Sequence, residues 1–134
     1  MQAAILVKHG PANTAFEIQE ISPPKLEEGE VMIQSEGFGL NFADIMARQG
    51  LYRDAPPLPS IIGYEAVGKV IEVGNSVNSE WLGKRVIAFT RFGGYAEIVK
   101  ASILAIAEIP EDLSVTEATA FGCLLYTSPS PRDA

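Results

Sequence analysis

Glycines and prolines divide this chain into short β-rich segments. The 134 residues include 12 glycines and 9 prolines, and apolar residues between them alternate over a few positions, as at residues 31–37 and 64–73. Alternation of this kind indicates strands. Gly68 lies inside the second run, where a glycine indicates a barrel bend or the close approach of another backbone. Short strands joined by glycine turns favour a barrel over a sandwich.

The remaining strand signals make the predicted fold mainly β. The sequence predicts strands at residues 2–7, 16–21, 86–89 and 95–99, and a last apolar segment at 103–109. Gly93 and Gly94 separate two of these strands. No dinucleotide-binding glycine pattern surrounds them, and no suitably spaced helix follows, so they predict a hairpin turn and not a phosphate-binding loop.

Two capping boxes predict short helices. Asn41 followed by Asp44 predicts a helix over residues 42–48 that Gly50 ends, and Ser114 followed by Glu117 predicts a second helix. Asp44 and Arg48 are four residues apart, a spacing that favours a stabilising pair on one helix face. Residues 51–59 contain three prolines and predict a loop with a restricted backbone.

Composition and charge exclude several functional classes. Hydrophobic residues make up 47% of the chain and charged residues 20%, as in soluble globular proteins. The net charge of -7 repels nucleic acids and anionic membranes. No stretch approaches the roughly twenty apolar residues of a membrane span. Cys123 is the only cysteine, so no disulfide can form within the chain, and a reducing cytoplasm is the expected compartment.

The globular pattern ends at Gly122. The residues that follow include a Ser-Pro-Ser-Pro repeat, which can continue neither a helix nor a strand. We therefore expect one globular domain over residues 1–122 and a disordered tail over residues 123–134. We interpret this tail as a truncation or an artificial join, so Cys123 is not expected to be catalytic.

A longer motif carries a family resemblance. Residues 38–52 read Phe-Gly-Leu-Asn-Phe-Ala-Asp-Ile-Met-Ala-Arg-Gln-Gly-Leu-Tyr, and Pro57-Leu58-Pro59 and Gly63-Tyr64-Glu65 follow in order. This pattern resembles the quinone oxidoreductase-like medium-chain dehydrogenases/reductases, in the branch of the vesicle amine transport protein homologues, over residues 1–122. The resemblance implies a GroES-like, partly open β-barrel, the N-terminal domain of alcohol dehydrogenases. Full-length members add a Rossmann domain that binds NADPH, which is missing from this chain.

The resemblance also implies a site without zinc. Zinc alcohol dehydrogenases of this superfamily have a cysteine at the position matching Asn41 and a histidine at the position matching Tyr64. An amide and a phenol are poor zinc ligands compared with thiolate and imidazole, so metal polarisation of a carbonyl is closed to this chain. His9 is the only histidine, and we interpret it as a surface turn residue.

Asn41 and Tyr52 are the candidate catalytic and cofactor-binding residues. In the resembling family the matching residues line the cleft near the nicotinamide and the substrate carbonyl, and both can donate hydrogen bonds to an oxygen that gains charge. The alternatives are a plain helix cap for Asn41 and a packed loop aromatic for Tyr52. Glu65 is expected to be structural and, if buried, to pair with Arg48 or Arg85.

The predicted function is reduction of quinones or activated enones by hydride from NADPH, in a full-length protein that forms a homodimer. This fragment alone is expected to be inactive. Two alternatives stay open: an enoyl reductase of the same superfamily, and a non-catalytic binding or scaffold module. Sequence downstream of Gly122 would discriminate an enzyme from a module, because an enzyme requires a nucleotide-binding glycine turn there.

Overall fold

The structure, a computed structural model, describes residues 1–127, with side chains described to residue 122. Within this range seven strands and three α-helices follow one another along the chain. Their bounds, in chain order, are β1 (Gln2–Leu6), α1 (Ala12–Ala15), β2 (Phe16–Glu20), β3 (Glu30–Gly37), α2 (Phe42–Arg48), β4 (Glu65–Val73), β5 (Arg85–Phe89), β6 (Ile98–Ser102), β7 (Ile106–Glu108) and α3 (Val115–Thr127).

The strands form one large antiparallel sheet and one hairpin. The five-stranded sheet has the order β6-β3-β4-β5-β7, and β1 pairs with β2 in a separate two-stranded sheet. Isolated bridges from Ala3 to Ala96 and from Leu6 to Ser60 attach the hairpin to the rest of the lobe. The edge strands β6 and β7 do not pair with each other, so the barrel is open. A mainly β fold with short helices and a partly open barrel is thus confirmed.

The core lies between the sheet and the hairpin. Alternating positions of β3 and β4 face inward, and side chains from β1, β5 and β6 pack on them. The fully or nearly fully buried apolar members of this cluster are Ala3, Ile5, Val31, Ile33, Ala66, Val70, Val86, Ala88, Ala96, Val99 and Ala101. Removal of this apolar area from water is the main stabilising contribution to such a lobe.

Gly68 is placed where β3 and β4 come closest. A Cβ atom at this position would overlap the carbonyl oxygen of Gln34 on β3. The pairing register of β3 and β4 shifts beside it, between Ser35 and Gly37. The close approach predicted for this glycine is therefore confirmed, and the irregular pairing bends the sheet as a barrel wall requires.

The capping boxes define the helix starts. Helix α2 has the predicted bounds, Phe42–Arg48, and the Asn41 N–H donates to Asp44 Oδ2 at 3.0 Å. At α3 the Ser114 N–H donates to Glu117 Oε1 at 3.3 Å, while the Glu117 N–H donates to Ser114 Oγ at 3.0 Å. Both predicted helices are confirmed.

Helix α3 extends to Thr127, five residues beyond the boundary predicted at Gly122. The first proline after Gly122 is Pro129, and a helix ends at or before the residue preceding a proline. The remainder of the predicted tail, from residue 128, lies outside the described residues, and the domain boundary itself stays a prediction.

The hairpin predicted at Gly93 and Gly94 is wrong. Strands β5 and β6 are not neighbours, because β6 pairs with β3 at the far side of the sheet. Residues between them instead run along the 61–63 loop: the Gly93 N–H donates to the Ile61 carbonyl at 3.0 Å, and the Tyr95 N–H donates to the Ile62 carbonyl at 3.0 Å. Tyr95 therefore precedes β6, contrary to the predicted strand at 95–99.

Arg85 is a buried cation with several acceptors. Its exposed fraction is 6%, its Nε lies 3.1 Å from Glu36 Oε1, and its Nη1 donates to backbone carbonyls of residues 110, 111 and 113. The guanidinium thus ties the start of β5 to the segment that leads into α3. Arg48 instead donates to the Gly10 carbonyl at 2.7 Å, so the predicted ion pair between Asp44 and Arg48 is not formed.

Glu65 lacks the partner predicted for it. Its exposed fraction is 1%, neither Arg48 nor Arg85 pairs with it, and no hydrogen bond to Oε1 is found among the described residues. Added Cβ atoms at Gly39 and Gly122 would contact its carboxyl oxygens, so glycines make room for it. Burial, and secondarily the charge of Asp44, raises the pKa of Glu65 above its ordinary value of 4.5.

Replacing Arg85 by methionine should destabilise the lobe strongly. Arg85→Met removes a buried cation and the donors to several carbonyls, so the free energy of unfolding should fall by about 2–4 kcal/mol. Lys84→Met is the matched control. Lys84 pairs with Glu108 at 3.4 Å in an exposed position, and its loss should cost less than about 1 kcal/mol. Urea denaturation measures the free energy of unfolding of both variants. Equal losses in the two variants would contradict a stabilising role for the buried contacts of Arg85.

The Glu65 carboxyl should make the lobe less stable as pH rises. Its raised pKa means that the folded state binds the proton more tightly than the unfolded state, so stability is complete below the unfolded pKa and is lost as pH rises through the folded pKa. Glu65→Gln should make this decline above about pH 4.5 shallower. Glu72→Gln, on the exposed side of β4, is the control. Parallel pH profiles for Glu65→Gln and the unsubstituted chain would refute the prediction.

Candidate functional site

The amino end of α2 carries the first candidate residue, Asn41, into a buried position. Its exposed fraction is 4%, and its backbone is extended, with φ -109° and ψ 155°. The chain turns into α2 immediately after it because Asp44 caps the helix through the Asn41 N–H. The helix-cap role considered for Asn41 is therefore present, and that role does not use every polar atom of the side chain.

Asp44 lies in the first turn of α2 and is also buried, with an exposed fraction of 4%. Burial raises the pKa of its carboxyl, and hydrogen bonding from Asn41, Tyr95 and Gly63 opposes the rise. The bond from the Asn41 N–H to Oδ2 has normal length, whereas Oδ1 has no partner of standard geometry. The Tyr95 hydroxyl and the Gly63 amide also interact with this carboxyl.

Tyr95 is a site residue that the sequence did not predict. It is buried, its ring stacks on Phe38 with centroids 4.6 Å apart, and it packs near Phe16 at 6.0 Å. Burial and the nearby charge of Asp44 raise the pKa of Tyr95, so its phenol stays protonated and can donate a hydrogen bond. The sequence treats Tyr95 as an ordinary strand position. Only the crossing of residues 93–96 over the 61–63 loop brings it to Asp44.

Tyr52 belongs to a group of three aromatic rings. It is half-buried, and its ring centroid lies 6.2 Å from that of Tyr64 and 6.5 Å from that of Phe92. Tyr64 and Phe92 are 5.5 Å apart. The structure thus brings Tyr52 next to Tyr64, the second position at which the family resemblance implied a lost zinc ligand. Edge-to-face contacts of this kind hold both rings in place.

Asn41 immediately precedes α2, and Tyr52 follows the last residue of α2, Arg48, by four positions. One apolar cluster includes a residue of α2, Ala47, and also contacts Tyr52. Its buried members are Leu6, Ala15, Ala47, Ile62 and Tyr95, and Tyr52 packs against them. The helix is therefore seated rigidly on this cluster, and the amide and the phenol share one support.

Apolar side chains surround the amino end of α2 on the outside. Leu40 is 73% exposed and Phe42 is 71% exposed, on either side of Asn41. A cavity of about 220 Å³ opens between α1 and α2, and its lining includes Leu40, Asn41, Asp44, Ile45 and Tyr95. Exposed apolar groups beside a few buried polar groups are typical of a surface that meets a ligand or another domain.

The residues at the candidate zinc position do not fit that metal. Asn41 and Tyr64 supply an amide and a phenol, whereas zinc sites in proteins are built from thiolate, imidazole and carboxylate ligands. Within the described part of the chain, no cluster of three or more histidine, cysteine, aspartate or glutamate residues could hold a metal ion. No described helix has the length and apolar character needed to cross a membrane.

Comparison with known proteins identifies the domain. Residues 27–111 match the alcohol dehydrogenase GroES-like domain. The synaptic vesicle membrane protein VAT-1 homolog-like of Mus musculus is 36% identical over 121 residues, which cover 90% of this chain and 29% of the mouse protein. This chain therefore spans less than a third of that relative's length.

Solved structures agree with this match. The crystal structure of the human VAT-1 homolog-like protein superposes with a TM-score of 0.85 at 36% identity, over 90% of this chain and 39% of that one. Escherichia coli quinone oxidoreductase complexed with NADPH superposes with a TM-score of 0.82 at 30% identity, over 90% of this chain and 36% of that one. The chain belongs to the alcohol dehydrogenase GroES-like domain family.

Proposed function

We propose that this chain is the catalytic lobe of an NADPH-dependent oxidoreductase that reduces quinones or other activated carbonyl compounds without zinc. The observation that carries the proposal is the presence of an amide and a phenol, Asn41 and Tyr64, where the family resemblance places zinc ligands in alcohol dehydrogenases. Tyr52 packs on Tyr64. A relative of similar fold, the Escherichia coli quinone oxidoreductase, has been crystallised with NADPH.

NADPH, when bound, supplies the hydride, and this lobe would supply the electrostatic part of the reaction. Reduction of a carbonyl or quinone places negative charge on its oxygen. The Asn41 amide and the Tyr52 hydroxyl can each donate a hydrogen bond to that oxygen, and such donors act more strongly in a site from which water is excluded. Asn41 and Tyr52 flank α2, and Tyr52 packs on the cluster that also buries Ala47 of α2, which limits their reorganisation during the reaction.

The surroundings of Asn41 support an apolar, uncharged substrate. The exposed side chains beside it are Leu40 and Phe42, which favour contact with a flat hydrophobic ring. The net charge of -7 disfavours a strongly anionic substrate. Quinones and activated enones combine an apolar body with an electron-poor carbonyl, so they fit both constraints.

The proposal concerns a protein longer than this chain, because the chain spans 29% of its mouse relative. NADPH would be bound mainly by a Rossmann domain beyond residue 122, with Asn41 and Tyr52 on the nicotinamide side. We further propose a cytoplasmic homodimer. The single cysteine is compatible with a reducing compartment.

The Asn41 and Tyr52 variants test the proposal in the full-length protein encoded by the native gene. With NADPH and a small quinone, Asn41→Ala should lower kcat about 100-fold, because loss of one donor to a developing oxyanion costs that much. Tyr52→Phe should lower kcat about tenfold, since only the hydroxyl is lost. The absorbance of NADPH at steady state measures both effects.

Asn13→Ala is the matched control, because Asn13 is an exposed asparagine on α1, and its kcat should equal that of the unsubstituted protein. Unchanged kcat in both Asn41→Ala and Tyr52→Phe would contradict the assigned roles. Oxidation of NADPH with an enoyl thioester but not with a quinone would replace the proposed substrate with that of an enoyl reductase. Absence of any NADPH oxidation would favour the binding-module alternative.

A further inference from the structure

Asp44 is more deeply buried than its role as a helix cap requires. A capping carboxylate acts equally well at the surface, as Glu117 does at the start of α3, where its bonds with Ser114 are exposed. Asp44 makes the same kind of bond at an exposed fraction of 4%. Removing a carboxylate from water is costly, so the burial of Asp44 indicates a task other than starting a helix.

The Asp44 carboxyl lies where three loops meet. Its first contact is the Asn41 N–H at 3.0 Å, on the segment that precedes α2. The Gly63 amide precedes β4, and the Tyr95 hydroxyl belongs to the segment before β6; both interact with the same carboxyl. Residues on all three segments are candidate site residues or their direct neighbours, including Tyr64, which follows Gly63.

The approach of these loops is tight enough to require a glycine. Gly63 has a φ of 109°, and a Cβ atom there would lie 2.6 Å from Tyr95 Cδ1 and 2.9 Å from the Tyr95 amide nitrogen. The Thr90 hydroxyl also donates to the Gly63 carbonyl at 2.9 Å. Gly63 and Tyr95 are thus held against each other independently of Asp44, which gives the carboxyl a rigid support.

We infer that Asp44 is a positioning residue. Its carboxyl anchors the backbone of Asn41 to the Gly63–Tyr95 support. The side-chain amide of Asn41 is thereby held in place to donate a hydrogen bond to the substrate oxygen that gains charge. This assignment rests on the proposed function. Asp44 acts through Asn41 and transfers no proton itself. Asp44 provides the oxygen that accepts a hydrogen bond from the Asn41 N–H. An asparagine at this position can still accept that bond, whereas an alanine cannot.

The kinetic test uses the full-length protein with NADPH and a small quinone. Asp44→Ala should lower kcat and kcat/KM together by about tenfold, as expected when a contact made in the transition state is weakened. Asp44→Asn should keep at least about half of the kcat. Glu117→Ala is the matched control, because it deletes a capping carboxylate on α3 and should leave kcat unchanged. All rates are taken below the melting temperature of each variant.

Two kinetic outcomes would overturn the inference. If Asp44→Ala keeps the full kcat, the carboxyl is only structural. If Asp44→Asn is as slow as Asp44→Ala, the negative charge or a proton of Asp44 is needed, and positioning through a hydrogen bond is the wrong explanation. A tenfold loss in Asp44→Ala with rescue in Asp44→Asn supports it.

Amide hydrogen exchange in the 134-residue chain provides a readout independent of activity. The backbone N–H of Asn41 should exchange at least about tenfold faster in Asp44→Ala than in the unsubstituted chain. Its exchange rate should recover in Asp44→Asn and stay unchanged in Glu117→Ala. Amides of β3 and β4 should stay protected throughout. An unchanged Asn41 rate in Asp44→Ala would overturn the positioning role. If the full-length protein does not oxidise NADPH, the proposed function fails, while this measurement still decides whether Asp44 holds Asn41.

Discussion

Strand β4 is the element on which the rest of the lobe depends, because it pairs with β3 on one side and with β5 on the other. Its fourth residue, Gly68, allows the β3 backbone to come close and the sheet to bend. Its first residue, Glu65, follows Tyr64, so the start of the central strand also delivers a site residue. Substitutions in β4 are therefore expected to affect the sheet and the site together.

The buried charges of the lobe fall into two classes. Arg85 is surrounded by acceptors and holds β5 to the segment before α3. Asp44 and Glu65 are buried carboxyls whose oxygens are only partly satisfied within the described residues, and both have a raised pKa. A fold selected for stability alone would replace them with apolar groups. Their presence around Asn41 and Tyr64 is typical of a functional site, where stability is lost in exchange for a fixed polar arrangement.

Features set by neighbouring residues were predictable from the sequence. The bounds of α2 follow from its capping box and from Gly50, and the close approach at Gly68 follows from a glycine within a strand. Features set by distant contacts were not. The path of residues 90–97 away from a hairpin, the burial of Tyr95 and the acceptors of Arg85 all depend on which strands become neighbours. For the same reason, Asp44 was expected to pair with Arg48 on its own helix, although its carboxyl interacts with Asn41, Tyr95 and Gly63.

We propose that hydrogen-bond donors on this lobe replace zinc in an NADPH-dependent reductase. The most direct measurement is quinone-dependent NADPH oxidation by the full-length protein after exhaustive treatment with a zinc chelator, with the metal content determined on the same sample. We predict full activity at a zinc content far below one ion per chain. Loss of activity on chelation, with recovery when zinc is added back, would contradict the account.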